Sequence, residues 1–159
     1  MRIHAMAGLT AGLVLIGAFA GADGHISDKQ IEGAIKARQA HMQLYSFHLG
    51  TLGAMAKEEL PYDAATASAA ADSLVALTQI SQAGYWLPGS DSDSVEDTRA
   101  LPAIWEAGSD AGQKGADLAA AALEMQVAAA TDLDALKASM GTLGGTCGGC
   151  HKPYRQSNN

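Results

Sequence analysis

The sequence predicts an all-α protein, an antiparallel four-helix bundle, on three observations. Apolar residues after position 27 recur at helical spacing in four separate stretches. No stretch alternates apolar and polar residues between hairpin-type turns. The composition is 48% hydrophobic but only 5% aromatic and 17% charged, so its apolar mass is mostly Ala, Leu and Met, a mixture that favours helix over strand. A length of 159 residues corresponds to one domain. The same composition excludes a disordered acidic tail and a disulfide scaffold.

The first segment reads as an export signal. Met1-Arg2-Ile3-His4 is a short basic start, followed by an uncharged run from Ala5 to Ala20 and small residues up to Ala22, with Asp23 ending it. Gly8, Gly12 and Gly17 interrupt a run already short for a bilayer span. The expectation is a signal peptide over 1–22, a mature domain over 23–159 and a periplasmic location. No other stretch is long and apolar enough to span a membrane, so the mature protein is expected to be soluble. Cleavage removes one of the 10 basic residues and none of the 17 acidic ones, taking the net charge from −7 to about −8. An acidic chain of this kind lacks the cationic contacts a phosphate backbone needs, so no nucleic-acid partner is expected.

The helices follow in order. Ser27, with Gln30 three residues on, has the form of a capping box. Ile31, Ile35, Arg38, Met42, Tyr45, Leu49, Leu52 and Ala56 then alternate steps of four and three, a heptad seam closed at Leu60-Pro61. Asp63 caps a second, Ala-rich helix expected to reach Ala83, with Leu74, Leu77 and Ile80 inward and Gly84 ending it. Pro88 to Ser94 is turn chemistry and forms the one long connection. A third helix is expected from Pro102, with Ile104, Trp105, Leu118, Ala122 and Met125 on its inner face. After a break at Ala130-Thr131-Asp132, the fourth carries Leu133, Leu136, Met140, Leu143, Cys147, His151 and Tyr154 on one seam, and Pro153 is expected to interrupt its last turn.

The only two cysteines decide the chemistry. Cys147-Gly148-Gly149-Cys150-His151 is the C-x-x-C-H pattern of covalent c-type haem attachment. On a helix, residues three and four apart share a face. Both thiols can therefore meet the two haem vinyl groups while the His151 imidazole reaches the iron as proximal ligand. A thioredoxin-like motif would need a βαβ setting, and a structural zinc site would need two more ligands. A Cys147–Cys150 disulfide would leave His151 unexplained. Gly141, Gly144, Gly145, Gly148 and Gly149 crowd the same helix, each costing about 0.8–1 kcal/mol relative to alanine. Thioether bonds and haem contacts are expected to offset that loss, the missing side chains letting the flat macrocycle lie close.

These features together resemble the cytochrome c′ family, haem-binding four-helix bundles of the bacterial periplasm. The resemblance rests on Ala37-Arg38-Gln39-Ala40-His41-Met42, Lys57-Glu58-Glu59-Leu60-Pro61-Tyr62-Asp63, Pro88-Gly89-Ser90, Leu101-Pro102-Ala103-Ile104-Trp105 and the stretch from Cys147 to Arg155, in that order. It implies one covalent haem c held by Cys147 and Cys150, with His151 as proximal iron ligand. Met42 falls at the family's distal position, Arg38 resembles the residue near a haem propionate, and Arg155 the base near the proximal imidazole.

Members of the family divide by the distal residue. A thioether ligand gives a six-coordinate iron suited to electron transfer, whereas an apolar cap leaves a five-coordinate iron that binds gases such as nitric oxide. Met42 supplies the thioether, so the expected function is single-electron transfer with redox partner proteins, and gas binding is the alternative. Neither reading makes the protein an enzyme. His41 and His48 compete as distal ligands from the flank of the seam. Tyr45 and Trp105 are candidates to pack on the haem edge. Arg38, a buried cation in an apolar seam, calls for an anion that a propionate would supply. The family resemblance also implies a possible homodimer through the first two helices.

Overall fold

A computed structural model describes residues 25–157; the signal-peptide segment lies outside them. Four helices form: α1 (Asp28–Ala56), α2 (Ala64–Gln79), α3 (Ala111–Thr131) and α4 (Leu133–Tyr154). Consecutive helices pack on one another and α4 returns to α1, with the α1–α4 side the loosest of the four. Among the described residues, the only extended pairing is a single antiparallel bridge between Ala100 and Arg155.

The caps form as the sequence predicts. Ser27 accepts from the Gln30 amide while the Gln30 side chain returns to the Ser27 amide, and both groups would otherwise be orphaned at the helix start. Asp63 caps α2 through the Thr66 amide at 2.8 Å, and Asp132, read from the sequence only as part of a break, caps α4 through the Ala135 amide at 2.8 Å. After α1, Glu58 takes a left-handed conformation (φ 60°) that lets the amides of Glu59 and Leu60 bond the Ala54 carbonyl. Lys137 of α4 then pairs with the Glu58 carboxylate.

Three boundaries differ from expectation. Helix α2 stops at Gln79 rather than near Ala83, and Ala83–Tyr85 form a separate 3₁₀ turn. Pro102 starts only another 3₁₀ turn, Pro102–Ile104, and α3 begins at Ala111. Gly108, at φ +91°, reverses the chain between the two. Ile104 and Trp105 therefore belong to the long connection, not to α3. Pro153 does not break α4, which runs to Tyr154. Proline there forfeits one amide bond in the final turn, and the Arg155 amide closes that turn on the His151 carbonyl at 3.0 Å.

The core is dense toward one end. Leu52, Met55, Leu74, Met125, Leu136 and Leu143 are all within a few per cent of complete burial, interleaved with Ala67, Ala71, Ala122 and Ala129. Those alanines allow the helices to approach closely. Tyr62 ties the first turn to α3 by donating to the Ala129 carbonyl at 2.9 Å.

Candidate haem site

Toward the other end the packing opens. Every described position of the α1 seam is at least partly buried except Met42, which is 37% exposed. On α4 the seam passes from buried Leu136 and Leu143 to half-buried Cys147, Cys150 and His151. Helix α4 is regular through Gly141, Gly144, Gly145, Gly148 and Gly149, and a Cβ built on any of them would meet nothing within 4 Å. All five are exposed and centre on a different side of α4 from the Leu136, Leu143 and Cys147 seam, so the open space beside them is solvent.

The donor set fits a haem. Cys147 and Cys150 are free thiols rather than a disulfide. Burial pushes both thiols above their ordinary value, and for Cys150 the neighbouring Cys147 adds to this. They are therefore protonated S–H groups, the form that adds across a vinyl double bond. His151 is moved the other way. Burial lowers its imidazole, and the charges of Arg155 and Arg99 lower it further. A neutral ring with an available lone pair is the state a metal ligand requires. No group of three or more His, Cys, Asp and Glu side chains among the described residues gathers around a common point, so the zinc alternative has no support in the geometry.

Tyr45 stands one turn beyond Met42 and faces Cys147 from across the bundle. Burial pushes its phenol up to about 12, with the Cys147 sulfur contributing. Gln82 approaches the hydroxyl without reaching hydrogen-bond geometry, and the oxygen is left without a partner. His41 is buried on the adjacent flank, between the rings of Tyr45 (4.8 Å) and Tyr85 (5.7 Å). Burial lowers its imidazole, against a smaller opposing effect of the Leu77 carbonyl. It packs toward α2, as a core residue would. His48 lies against Phe47, ring centroids 5.2 Å apart.

Arg38 is 4% exposed, and the protein itself supplies its acceptors. The guanidinium donates to Ser90 Oγ at 2.7 Å, Thr98 Oγ1 at 2.6 Å, the Tyr85 carbonyl at 3.2 Å and the Ser90 carbonyl. It also lies 5.2 Å from the centre of the Trp86 ring. Burial lowers its affinity for the proton, and Asp91 partly restores it. These acceptors take the four terminal N–H groups of the guanidinium, and they staple the long connection onto α1. Trp105 is part of the same assembly. Its indole N–H donates to the Trp86 carbonyl at 3.0 Å.

Arg155 is the C-cap of α4, exposed, and its backbone forms the bridge to Ala100. Two contacts here carry no sequence signal. The backbone bridge places Arg99 near His151, and the Tyr154 hydroxyl donates to Asp110 at 2.6 Å. Tyr154 could be placed on the seam by its spacing, but neither partner could be read from any local pattern.

Comparison with known proteins agrees with the geometry. The sequence profile of the family described as cytochrome C′ matches residues 33–155. A cytochrome c-554 from Cereibacter sphaeroides is 48% identical over 128 residues, covering 80% of this chain and 96% of that protein. Among solved structures, a cytochrome c′ from Rhodobacter sphaeroides superimposes with a TM-score of 0.78 at 37% identity, over 80% of this chain and 98% of that one. A nitric oxide complex of a point mutant of cytochrome c prime from Alcaligenes xylosoxidans gives a TM-score of 0.70 at 31% identity, over 80% and 97%.

Proposed function

The chain belongs to the cytochrome c′ family and carries a covalently attached haem c, and on that premise we propose that it is a periplasmic protein that takes up small diatomic gases, nitric oxide among them, opposite His151. One observation carries the reading. Met42 is the seam residue of α1 that the bundle does not enclose, so its side chain can cover the distal side and still move away. The nitric oxide complex of the Alcaligenes relative supports the same use of this fold.

When attached, the haem supplies an iron able to accept a diatomic ligand or to exchange one electron. The residues of the chain do the rest. Cys147 and Cys150 would each add S–H across a vinyl group and so hold the macrocycle to α4. His151, kept neutral by burial and by two arginines, presents its lone pair. Tyr45 closes the space beside Cys147 with a hydroxyl free to donate. Arg38 and Trp105 hold the long connection against α1 and shape the rim of the site, while Arg155 flanks the imidazole. Export through residues 1–22 belongs to this reading, and no helix among the described residues is long and apolar enough to cross a membrane. A homodimer through α1 and α2 belongs to it as well, supported by Leu44 and Phe47 standing exposed on the outer side of α1.

A second reading has its own support. Met42 is a thioether, the group that binds iron and raises its potential, and its freedom from the core would also let it ligate. The protein would then be an electron carrier working with redox partner proteins. Ferric visible spectra and nitric oxide titration of the native protein and Met42→Ala separate the two. Gas uptake predicts a high-spin native spectrum and prompt nitric oxide binding, faster in the variant. A low-spin native spectrum with a sulfur-to-iron band that vanishes in Met42→Ala would overturn gas uptake in favour of electron transfer.

A further inference from the structure

Positive charge is unevenly spread over this acidic chain. Lys36, Lys114 and Lys137 are paired with Glu32, Asp110 and Glu58, and Arg38 is buried among the acceptors of the long connection. Arg99, Lys152 and Arg155 take part in no ion pair among the described residues, and all three are exposed.

They come from two segments joined by backbone bonds. The Leu101 amide donates to the Tyr154 carbonyl at 3.0 Å, and the Gln156 amide to the Arg99 carbonyl at 2.8 Å. Those bonds flank the Ala100–Arg155 bridge and set Arg99 beside Arg155. Lys152 lies one helical turn before Arg155 and shares its side of α4. Lys152, Arg155 and His151 line a pocket of about 280 Å³ with Gln156 and Ser157. Of the five exposed cations in no ion pair among the described residues, Lys29 and Lys57 stand apart and the other three gather at the proximal histidine.

We propose that Arg99, Lys152 and Arg155 form a docking surface for a carboxylate-rich, one-electron donor protein that approaches the site from the His151 side. The inference rests on haem being held at Cys147, Cys150 and His151, and not on which distal reading holds. The step is a bare electron transfer, in which the partner is oxidised by one electron and the ferric protein reduced by one, with no bond or proton moved. Charge complementarity argues for the occupant. A protein of net charge −7 repels an acidic partner over most of its surface, so a local basic patch both attracts and orients it.

The test uses the haem-loaded protein in stopped flow. The ferrous protein is oxidised by ferricyanide, an anion, and by tris(phenanthroline)cobalt(III), a cation, across a range of ionic strength. The ferric protein is reduced by an acidic flavodoxin. Native protein is expected to react with ferricyanide and flavodoxin more slowly as salt rises, against the sign of its net charge. In Arg99→Gln/Lys152→Gln both rates should fall at least about threefold at low salt, and the cobalt rate should not fall. Lys152→Gln alone, which leaves both arginines beside His151 in place, should lose part of the same two rates with haem content and visible spectrum native. A ferricyanide rate that rises with salt in the native protein, or that the double variant leaves unchanged, overturns the proposal. So does loss of ferricyanide sensitivity without any effect on flavodoxin, which would mark a site for small anions. Spin state and nitric oxide binding are read separately, so a failed distal reading leaves the salt dependence standing.

Discussion

Tyr154 and Asp110 hold each other by two hydrogen bonds. The phenol donates to the Asp110 carboxylate at 2.6 Å and accepts from the Asp110 amide at 2.9 Å. The pair fastens the turn of α4 that carries His151 to the start of α3. The Tyr154 hydroxyl, with Lys114 adding, holds the Asp110 carboxyl below the usual carboxylate value. A depressed folded pKa stabilises the fold above the unfolded carboxyl pKa, and the benefit disappears as pH falls through the folded value. Tyr154→Phe is therefore expected to lower Tm by a few degrees near pH 7, and the difference from native should shrink under acid. Thermal melts at a series of pH values check this, and a pH-independent difference would count against the linkage.

Arg38 should matter more for stability than for haem retention. Replacing it by Ala leaves the Ser90 and Tyr85 carbonyls without their buried donor and frees the long connection, at a cost of about 2–4 kcal/mol. Arg38→Lys should recover little, because an ammonium cannot present the planar fork to four acceptors. Urea unfolding measures both. If Arg38→Ala instead unfolded normally but lost haem, a propionate role would take precedence over the staple.

The attachment chemistry makes a direct prediction. Cys147→Ser/Cys150→Ser should yield protein whose haem extracts into acidified organic solvent, whereas native haem stays with the polypeptide. Each single variant should retain one thioether, with the full haem mass still on the polypeptide and one vinyl group left free. Mass spectrometry of protein matured in a host able to attach haem decides the matter.

The five glycines of α4 each weaken an isolated helix by about 0.8–1 kcal/mol relative to alanine. Haem-free protein is expected to lose part of its far-UV helical signal, and haem-loaded protein to regain it. Gly144→Ala/Gly148→Ala should raise helicity in the haem-free form. An undiminished signal without haem would show that the tertiary contacts of α4 suffice.

Phe47 is 69% exposed and Leu44 48%, a large apolar area for a monomer to leave in water. Sedimentation equilibrium should find a dimer, and Phe47→Asp should shift it to monomer with the helical signal intact. A native monomer at high concentration removes the α1–α2 association.

Much of this was legible in the chain itself. The α1 seam, the caps at Ser27 and Asp63, and the C-x-x-C-H spacing are local patterns, and each depends on residues within a few positions of one another. The errors share a cause. Pro102 has the form of a helix start, but the 3₁₀ turn it begins is held by packing across the long connection, and Gly108 turns the chain before α3 can form. Pro153 reads as a breaker, yet α4 absorbs it because the lost bond falls in the last turn.

From sequence alone came the helical class and the C-x-x-C-H pattern of the candidate attachment site, because periodicity and ligand spacing are short-range properties of the backbone. Only tertiary structure decided that Arg38 turns to Ser90 and Thr98, that Met42 remains outside the packed core, and that Arg99 joins Arg155 beside His151. Those relationships bring together residues dozens of positions apart, and only the packing of helices and connection against one another can set them.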